Sequence, residues 1–298
     1  MIALVPYVPD DFDEFWAEVV GEARRAPLDY HRSLTNDFDL PGFVVETLEF
    51  RGIDGRARHG WLAFPPGARR LPGFLWIPPY GRESLLPNAY GTRPGFVSIS
   101  LNFFGYGAFY QEEYKPARGY FAEGAEDPRT WIFRRMFQDA YLALRVLQAQ
   151  SEADETRLAV MGLSQGAGMA VWLGAFCPLV RGVCADLPFL AGINSTLAGP
   201  VYRYPPKELT DFMDTIALGR ERVLHTLSYF DSMNAATRCR VSTQISLGLK
   251  DPACKPPNVR ALYLALPGEK RLIEYGGGHD WDLGMVANNR AWLSAHLQ

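Results

Sequence analysis

A serine between two glycines is the first feature of the chain with clear chemical potential. Residues 162–166 read GLSQG, which is the G-x-S-x-G pattern. The apolar residues 158–161 before it are typical of a buried strand, and the small and apolar residues 166–171 after it are typical of a closely packed helix. In this setting a serine lies on a sharp strand-to-helix turn, and the helix N-terminus offers N–H groups to an oxyanion. The pattern predicts Ser164 as a nucleophile; the alternative is a solvated serine in a glycine-rich turn.

A serine nucleophile needs a base, and in this setting an acid and then a histidine follow the serine along the chain. The sequence has five histidines, of which His279 has the suitable position. It follows a predicted strand at residues 271–275 through three glycines, which leave the loop free to bring an imidazole to the serine. The other histidines precede the serine, or lie in a predicted insertion or in the last predicted helix: His31, His59, His225 and His296.

The acid is expected at the end of the strand before the histidine. Asp251 follows a predicted strand at residues 242–247, and Pro252 stiffens the turn after it. Three other aspartates lie before that strand in predicted helices, where helix capping or exposure to solvent explains them: Asp211, Asp214 and Asp231. Asp280 is next to His279, but adjacent residues on a turn rarely face each other. We therefore predict a triad of Ser164, Asp251 and His279.

The hydrophobic pattern predicts the elements that position these side chains. Strands are predicted at residues 43–50, 58–64, 74–77, 96–101, 158–163, 182–186, 242–247 and 271–275. Helices are predicted at residues 11–25, 128–150, 166–176, 258–265 and from about 282 onward. Their alternation predicts an α/β-hydrolase fold, with a mostly parallel central sheet and helices on both faces. We expect residues 1–298 to form one domain with an N-terminal helix extension and a helical insertion at about residues 190–230, before the last strands.

Composition limits the partners of the chain. A formal net charge of -3 over 298 residues, without any run of Lys and Arg, gives no electrostatic basis for binding nucleic acid. The four cysteines show no C-x-x-C spacing and are expected to be buried free thiols. No secretion signal and no membrane-spanning stretch is apparent, so we expect no membrane association and a cytoplasmic location. The sequence lacks ligand spacings such as H-E-x-x-H, so no metal or other cofactor is expected.

Several segments together resemble the acetyl xylan esterase and cephalosporin-C deacetylase family of carbohydrate esterases. They are residues 11–16 (DFDEFW), 60–62 (GWL), 127–131 (DPRTW), 134–135 (RR), 162–166 (GLSQG), 186–190 (DLPFL) and 227–231 (LSYFD). The resemblance implies the removal of acetyl groups from small or oligosaccharide esters, or from cephalosporins, by a cytoplasmic hexamer. It also implies an oxyanion hole made by the backbone N–H groups of Gln165 and Tyr80.

The chain differs from the family pattern near the expected site. Residues 102–104 (NFF) replace the usual Arg-Gly-Gln, and residues 78–79 (PP) replace the His-Gly before the oxyanion tyrosine. We expect Phe104, Tyr106 and Pro188 to line the substrate pocket, although Phe103 and Phe104 are equally well explained as core residues. Two other functions remain open: a different α/β-hydrolase activity, such as a lipase or peptidase, and a non-catalytic binding protein with a hydrolase-like fold.

Overall fold

A single nine-stranded sheet forms the centre of the protein. The computed structural model describes residues 5–112 and 119–297. The strands stand in the order β1-β2-β3-β5-β4-β6-β7-β8-β9. Their bounds are β1 Tyr30–Leu34, β2 Val44–Arg51, β3 Ala57–Phe64, β4 Leu71–Ile77, β5 Val97–Asn102, β6 Ala153–Leu163, β7 Val180–Asp186, β8 Ser242–Gly248 and β9 Lys270–Tyr275. Strands β1, β2, β3 and β5 pair antiparallel in that order, and all pairs from β5 to β9 are parallel.

Helices cover both faces of this sheet. They are α1 Phe12–Arg25, α2 Ile132–Gln148, α3 Gln165–Phe176, α4 Ile193–Leu197, α5 Pro206–Met213, α6 Gly219–Phe230, α7 Ser232–Ala236, α8 Pro256–Ala265 and α9 Leu283–Leu297. Strand β6 shows how the two faces are separated. Leu158 and Val160 pack in the larger core with α1, α2 and α3, whereas Ala159 and Met161 pack in a second core against α9. This alternation is the period-two pattern of a strand buried on both sides.

The α/β-hydrolase architecture predicted from the sequence is confirmed, with some differences in its elements. Strand β1 was not predicted, because its residues are all partly or fully exposed and carry no apolar alternation. The long helix starts at Ile132 and not at residue 128. Residues 127–131 form a turn in which the Trp131 N–H donates to the Asp127 carbonyl oxygen over 3.0 Å, and the Trp131 indole donates to the Phe121 carbonyl oxygen over 2.8 Å. Burial of this indole keeps the turn outside the helix.

The segment between β7 and β8 carries four helices, α4 to α7, where the sequence predicted a helical insertion at about residues 190–230. Asp231 anchors this segment. Its carboxylate accepts the N–H groups of Gly192, Ile193 and Met233 over 3.0, 3.1 and 2.9 Å. The capping role expected for Asp231 is therefore observed, since Met233 lies in the first turn of α7.

Two further expectations can be compared with the described residues. All four cysteines are buried free thiols, as predicted. The helices in residues 5–112 and 119–297 are all too short or too polar to span a bilayer.

Candidate active site

Ser164, the predicted nucleophile, lies on a tight turn between β6 and α3. We call residues 162–166 the nucleophile turn. The Ser164 backbone has φ 55° and ψ -113°, a conformation that is strained for a residue with a side chain. Two glycines make this turn possible. A Cβ on Gly162 would overlap the backbone of Gly166, and a Cβ on Gly166 would overlap the carbonyl oxygen of Ile77 at the end of β4. The small residues predicted around the serine are thus required by close backbone contacts.

The three residues of the predicted triad meet at the carboxyl ends of the parallel strands. His279 Nε2 lies 2.9 Å from Ser164 Oγ. On the other side of the ring, His279 Nδ1 lies 2.7 Å from Asp251 Oδ2. These two hydrogen bonds form a continuous line from hydroxyl to carboxylate through residues that are 28 and 115 positions apart in the chain. The arrangement has the geometry of a nucleophile, a base and an orienting acid.

Asp251 is held in place by its own turn. The residue is 4% exposed, and its Oδ1 accepts the N–H groups of Ala253 and Cys254 over 2.7 and 2.9 Å. Oδ2 is left to face the imidazole. Because three donors satisfy the buried carboxylate, its orientation is fixed before any substrate binds.

The loop that carries His279 differs from this well-packed turn. The imidazole is 28% exposed, and a Cβ on Gly276 or Gly277 would contact nothing within 4 Å. The loop is nevertheless tied to the segment after β8, because the Lys250 N–H donates to the Gly277 carbonyl oxygen over 2.9 Å. Asp280, the neighbouring acid, faces away and accepts the N–H of Trp281 over 2.8 Å.

The two predicted oxyanion residues lie on either side of the contact between α3 and the segment after β4. Gln165 is the first residue of α3, so its N–H is free of helical partners. Tyr80 follows Pro78 and Pro79, and the carbonyl oxygens of Ile77 and Pro78 lie against Gly166. We call residues 78–81 the oxyanion loop. The structure thus brings this loop against the turn that carries Ser164.

Sequence reasoning missed the side chains that support the oxyanion loop. The Tyr120 ring stacks on Tyr80 with centroids 4.7 Å apart, and its hydroxyl accepts the Gly81 N–H over 3.2 Å and donates to Gln165 Oε1 over 3.0 Å. Glu208 of α5 accepts a short hydrogen bond from the Tyr80 hydroxyl. Tyr120 had no motif around it, and Glu208 is 128 residues from its partner in an insertion without a clear pattern.

The predicted pocket residues are placed at different distances from the triad. Pro188 and Cys254 line the same small cavity below the Asp251 turn. The Phe104 ring packs on Tyr120 with centroids 4.4 Å apart. Tyr106 is 39% exposed and stacks on Tyr110. Phe103 is a core residue, and Asn102 fastens the loop after β5 by donating to the Arg82 carbonyl oxygen and Ser84 Oγ over 2.8 and 2.9 Å.

One group of side chains has the composition of a metal site. Donor atoms of Asp251, Cys254 and His279 lie within 4.8 Å of one another. Burial raises the pKa of the Cys254 thiol well above its ordinary value, and the nearby Asp251 carboxylate raises it further. A protonated thiol is a poor metal ligand, and the 2.7 Å separation of His279 Nδ1 and Asp251 Oδ2 is that of a hydrogen bond. The described geometry therefore fits proton transfer better than metal coordination.

The fold and the site together define an α/β-hydrolase with a serine at its nucleophile turn. The chain matches the model of the acetyl xylan esterase (AXE1) family over residues 5–296, and it therefore belongs to this family, whose members are carboxylic ester hydrolases.

Known relatives agree with this assignment. Acetyl esterase Axe7A of Xylanibacter ruminicola is 24% identical over 266 residues, which are 85% of this chain and 60% of that protein. The chain thus spans less than two thirds of the length of Axe7A. Acetyl xylan esterase from Paenibacillus sp. R4 is 25% identical, with a TM-score of 0.88 over 98% of this chain and 96% of that one. Acetyl xylan esterase 1 from Thermoanaerobacterium sp. JW/SL YS485 is 24% identical, with a TM-score of 0.86 over 99% of this chain and 96% of that one.

Proposed function

We propose that the chain is a serine esterase that removes acetyl groups from small or oligosaccharide alcohols through an acetyl-serine intermediate. The observation that carries the proposal is the unbroken hydrogen-bonded line from Ser164 Oγ through His279 to Asp251. Membership of the acetyl xylan esterase family supports the ester class and the acetyl group.

In the first half of the reaction, Ser164 Oγ attacks the ester carbonyl carbon while His279 Nε2 takes the hydroxyl proton. Asp251 stabilises the imidazolium and fixes the ring so that Nε2 faces the serine. The N–H groups of Tyr80 and Gln165 bind the negative oxygen of the tetrahedral intermediate. The imidazolium then protonates the alcohol oxygen as the C–O bond breaks, which releases the alcohol and leaves acetyl-Ser164.

In the second half, water takes the place of the alcohol. His279 removes a proton from the water, and the resulting hydroxide attacks the acetyl carbonyl carbon. The bond to Ser164 Oγ then breaks as His279 returns the proton to it, and acetic acid leaves. His279 therefore serves as the base and then as the acid in both halves of the reaction.

A cavity of about 460 Å³ beside the oxyanion loop offers space for the alcohol part of the substrate. Its walls include Pro78 and Pro79 of that loop and Trp281, two residues after His279. Trp281 is 37% exposed, and its ring packs on Tyr90 with centroids 4.1 Å apart. An exposed aromatic face is suited to a sugar ring, because the apolar C–H face of the sugar stacks on it.

The reaction class can be tested with a fluorophosphonate probe and p-nitrophenyl esters of increasing acyl length. We expect the probe to label Ser164, with no label on a Ser164→Ala variant, and we expect acetate to be the best acyl group. Absence of labelling would show a non-catalytic binding protein. Faster hydrolysis of long acyl chains or of peptides would show a lipase or peptidase.

The substrate can then be narrowed with natural acetates. Rates on acetylated xylo-oligosaccharides and on cephalosporin C distinguish a carbohydrate esterase from a cephalosporin deacetylase. The hexamer implied by the family resemblance is a separate proposal, which light scattering on the purified protein tests directly.

A further inference from the structure

Glu208 is a buried carboxylate that the triad mechanism does not use. It lies in α5 of the segment between β7 and β8, and only 1% of the residue is exposed. Burying a carboxylate is costly unless hydrogen bonds compensate for the lost water. Both of its oxygens have such partners: Oε1 accepts from the Tyr80 hydroxyl, and Oε2 accepts the Phe121 N–H over 2.8 Å.

The Tyr80 side chain is held from several directions at once. Its ring stacks on Tyr120 and meets Phe121 edge-on, with centroids 6.2 Å apart. The backbone at Gly119 passes so close to the Tyr80 hydroxyl that a Cβ there would overlap the oxygen. Burial and the Glu208 carboxylate both raise the pKa of the Tyr80 phenol, so the hydroxyl stays protonated and donates. The ring therefore has one well-defined position.

We propose that Glu208 is a positioning residue for the oxyanion hole: by holding the Tyr80 hydroxyl, it fixes the backbone N–H of Tyr80 against the nucleophile turn. The inference rests on the proposed function, in which that N–H is an oxyanion donor. The physical reason is that the loop has few backbone donors of its own. Pro78 and Pro79 have no N–H with which to anchor the loop, so its position depends on the Tyr80 side chain together with the Gly81 N–H, which donates to the Tyr120 hydroxyl. Catalysis by an oxyanion donor requires its position to be fixed before the reaction.

The test is a Glu208→Leu variant assayed with p-nitrophenyl acetate. A leucine fills a similar volume, but it has no oxygen to accept a hydrogen bond from the Tyr80 hydroxyl or from the Phe121 N–H. We expect kcat to fall by about 10- to 100-fold with KM changed less than threefold, because the ground-state ester uses the oxyanion hole less than the tetrahedral intermediate does. The inhibition constant of a trifluoromethyl ketone, which forms a tetrahedral adduct with the serine, should rise by the same factor.

A second variant separates positioning from folding. Tyr80→Phe removes only the hydroxyl, keeps the ring and the N–H, and should reduce kcat by a similar factor. The double variant should be no worse than the poorer single variant, because both changes break the same link. Asp211→Asn is the matched control: it lies on the same helix, but its partner is Lys207 in an exposed ion pair, so kcat should change less than twofold.

Three results would overturn the proposal: a kcat for Glu208→Leu within threefold of the parent, a rise in KM that accounts for the loss, or losses that multiply in the double variant. If the parent protein hydrolyses no ester, the proposed function itself has failed. The trifluoromethyl ketone and fluorophosphonate assays on the parent distinguish these two cases.

Discussion

The nucleophile turn and the oxyanion loop face each other across one close contact, yet they are stabilised in different ways. The turn at Ser164 is held by backbone contacts: the Ser164 N–H donates to the Asp186 carbonyl oxygen over 2.9 Å, and glycines at 162 and 166 allow the backbones to touch. The oxyanion loop carries two prolines and depends on side chains from residues 40 to 128 positions away, chiefly Tyr120 and Glu208. A short motif can therefore position the serine, whereas the whole fold is needed to position the N–H donor on the oxyanion loop.

Removing the proposed nucleophile tests the side of this comparison that is held by backbone contacts, and it should have the largest effect. Ser164→Ala leaves the turn and the oxyanion loop intact but removes the attacking oxygen. We expect kcat for p-nitrophenyl acetate to fall by about 10⁴- to 10⁶-fold, with an unchanged melting temperature. Ser151→Ala, at an exposed serine, is the control. A residual rate within 100-fold of the parent would mean that another group attacks the ester.

The contact between the two regions can be broken at Gly166. In Gly166→Ala, the new methyl group overlaps the Ile77 carbonyl oxygen, so α3 and the oxyanion loop must separate. We expect kcat to fall by about 10²- to 10³-fold, which is the usual cost of losing one oxyanion donor, together with a lower melting temperature. Gly199→Ala is the matched control, because a Cβ there meets nothing within 4 Å. Near-parental activity would show that the contact is not needed for catalysis.

The smallest expected effect concerns the anchor of the segment that carries Glu208. Burial raises the pKa of Asp231 from 3.8 to about 6, against the opposing effect of its three N–H donors. The folded state therefore binds the Asp231 proton more tightly than the unfolded state. The contribution of this protonation to the free energy of unfolding is complete below about pH 4. It is lost as the pH rises through 6, by up to about 3 kcal/mol.

Urea unfolding of the parent and of Asp231→Asn between pH 4 and 7 measures this contribution. Asparagine cannot titrate, so the free energy of unfolding of the parent minus that of the variant should decrease as the pH rises. A difference that stays constant over this range would contradict the expected direction.

The comparison also explains what the sequence could predict. The triad, the parallel strands and the α3 helix come from local patterns, because glycine spacing and apolar periodicity act over a few residues. Strand β1 and the start of α2 were not predicted correctly, since an exposed edge strand lacks periodicity and the Trp131 indole is buried by tertiary contacts. Glu208 could not be found for a similar reason: its role is created by a partner in a distant loop.

The two prolines of the oxyanion loop have a practical consequence for measurement. Neither Pro78 nor Pro79 has an amide hydrogen, so the first exchangeable backbone amide after Ile77 belongs to Tyr80. In a deuterium-exchange experiment, any difference between nested peptides that end at Pro79 and at Tyr80 reports on a single deuteron. The proposed oxyanion donor can therefore be observed as an isolated signal in the native protein.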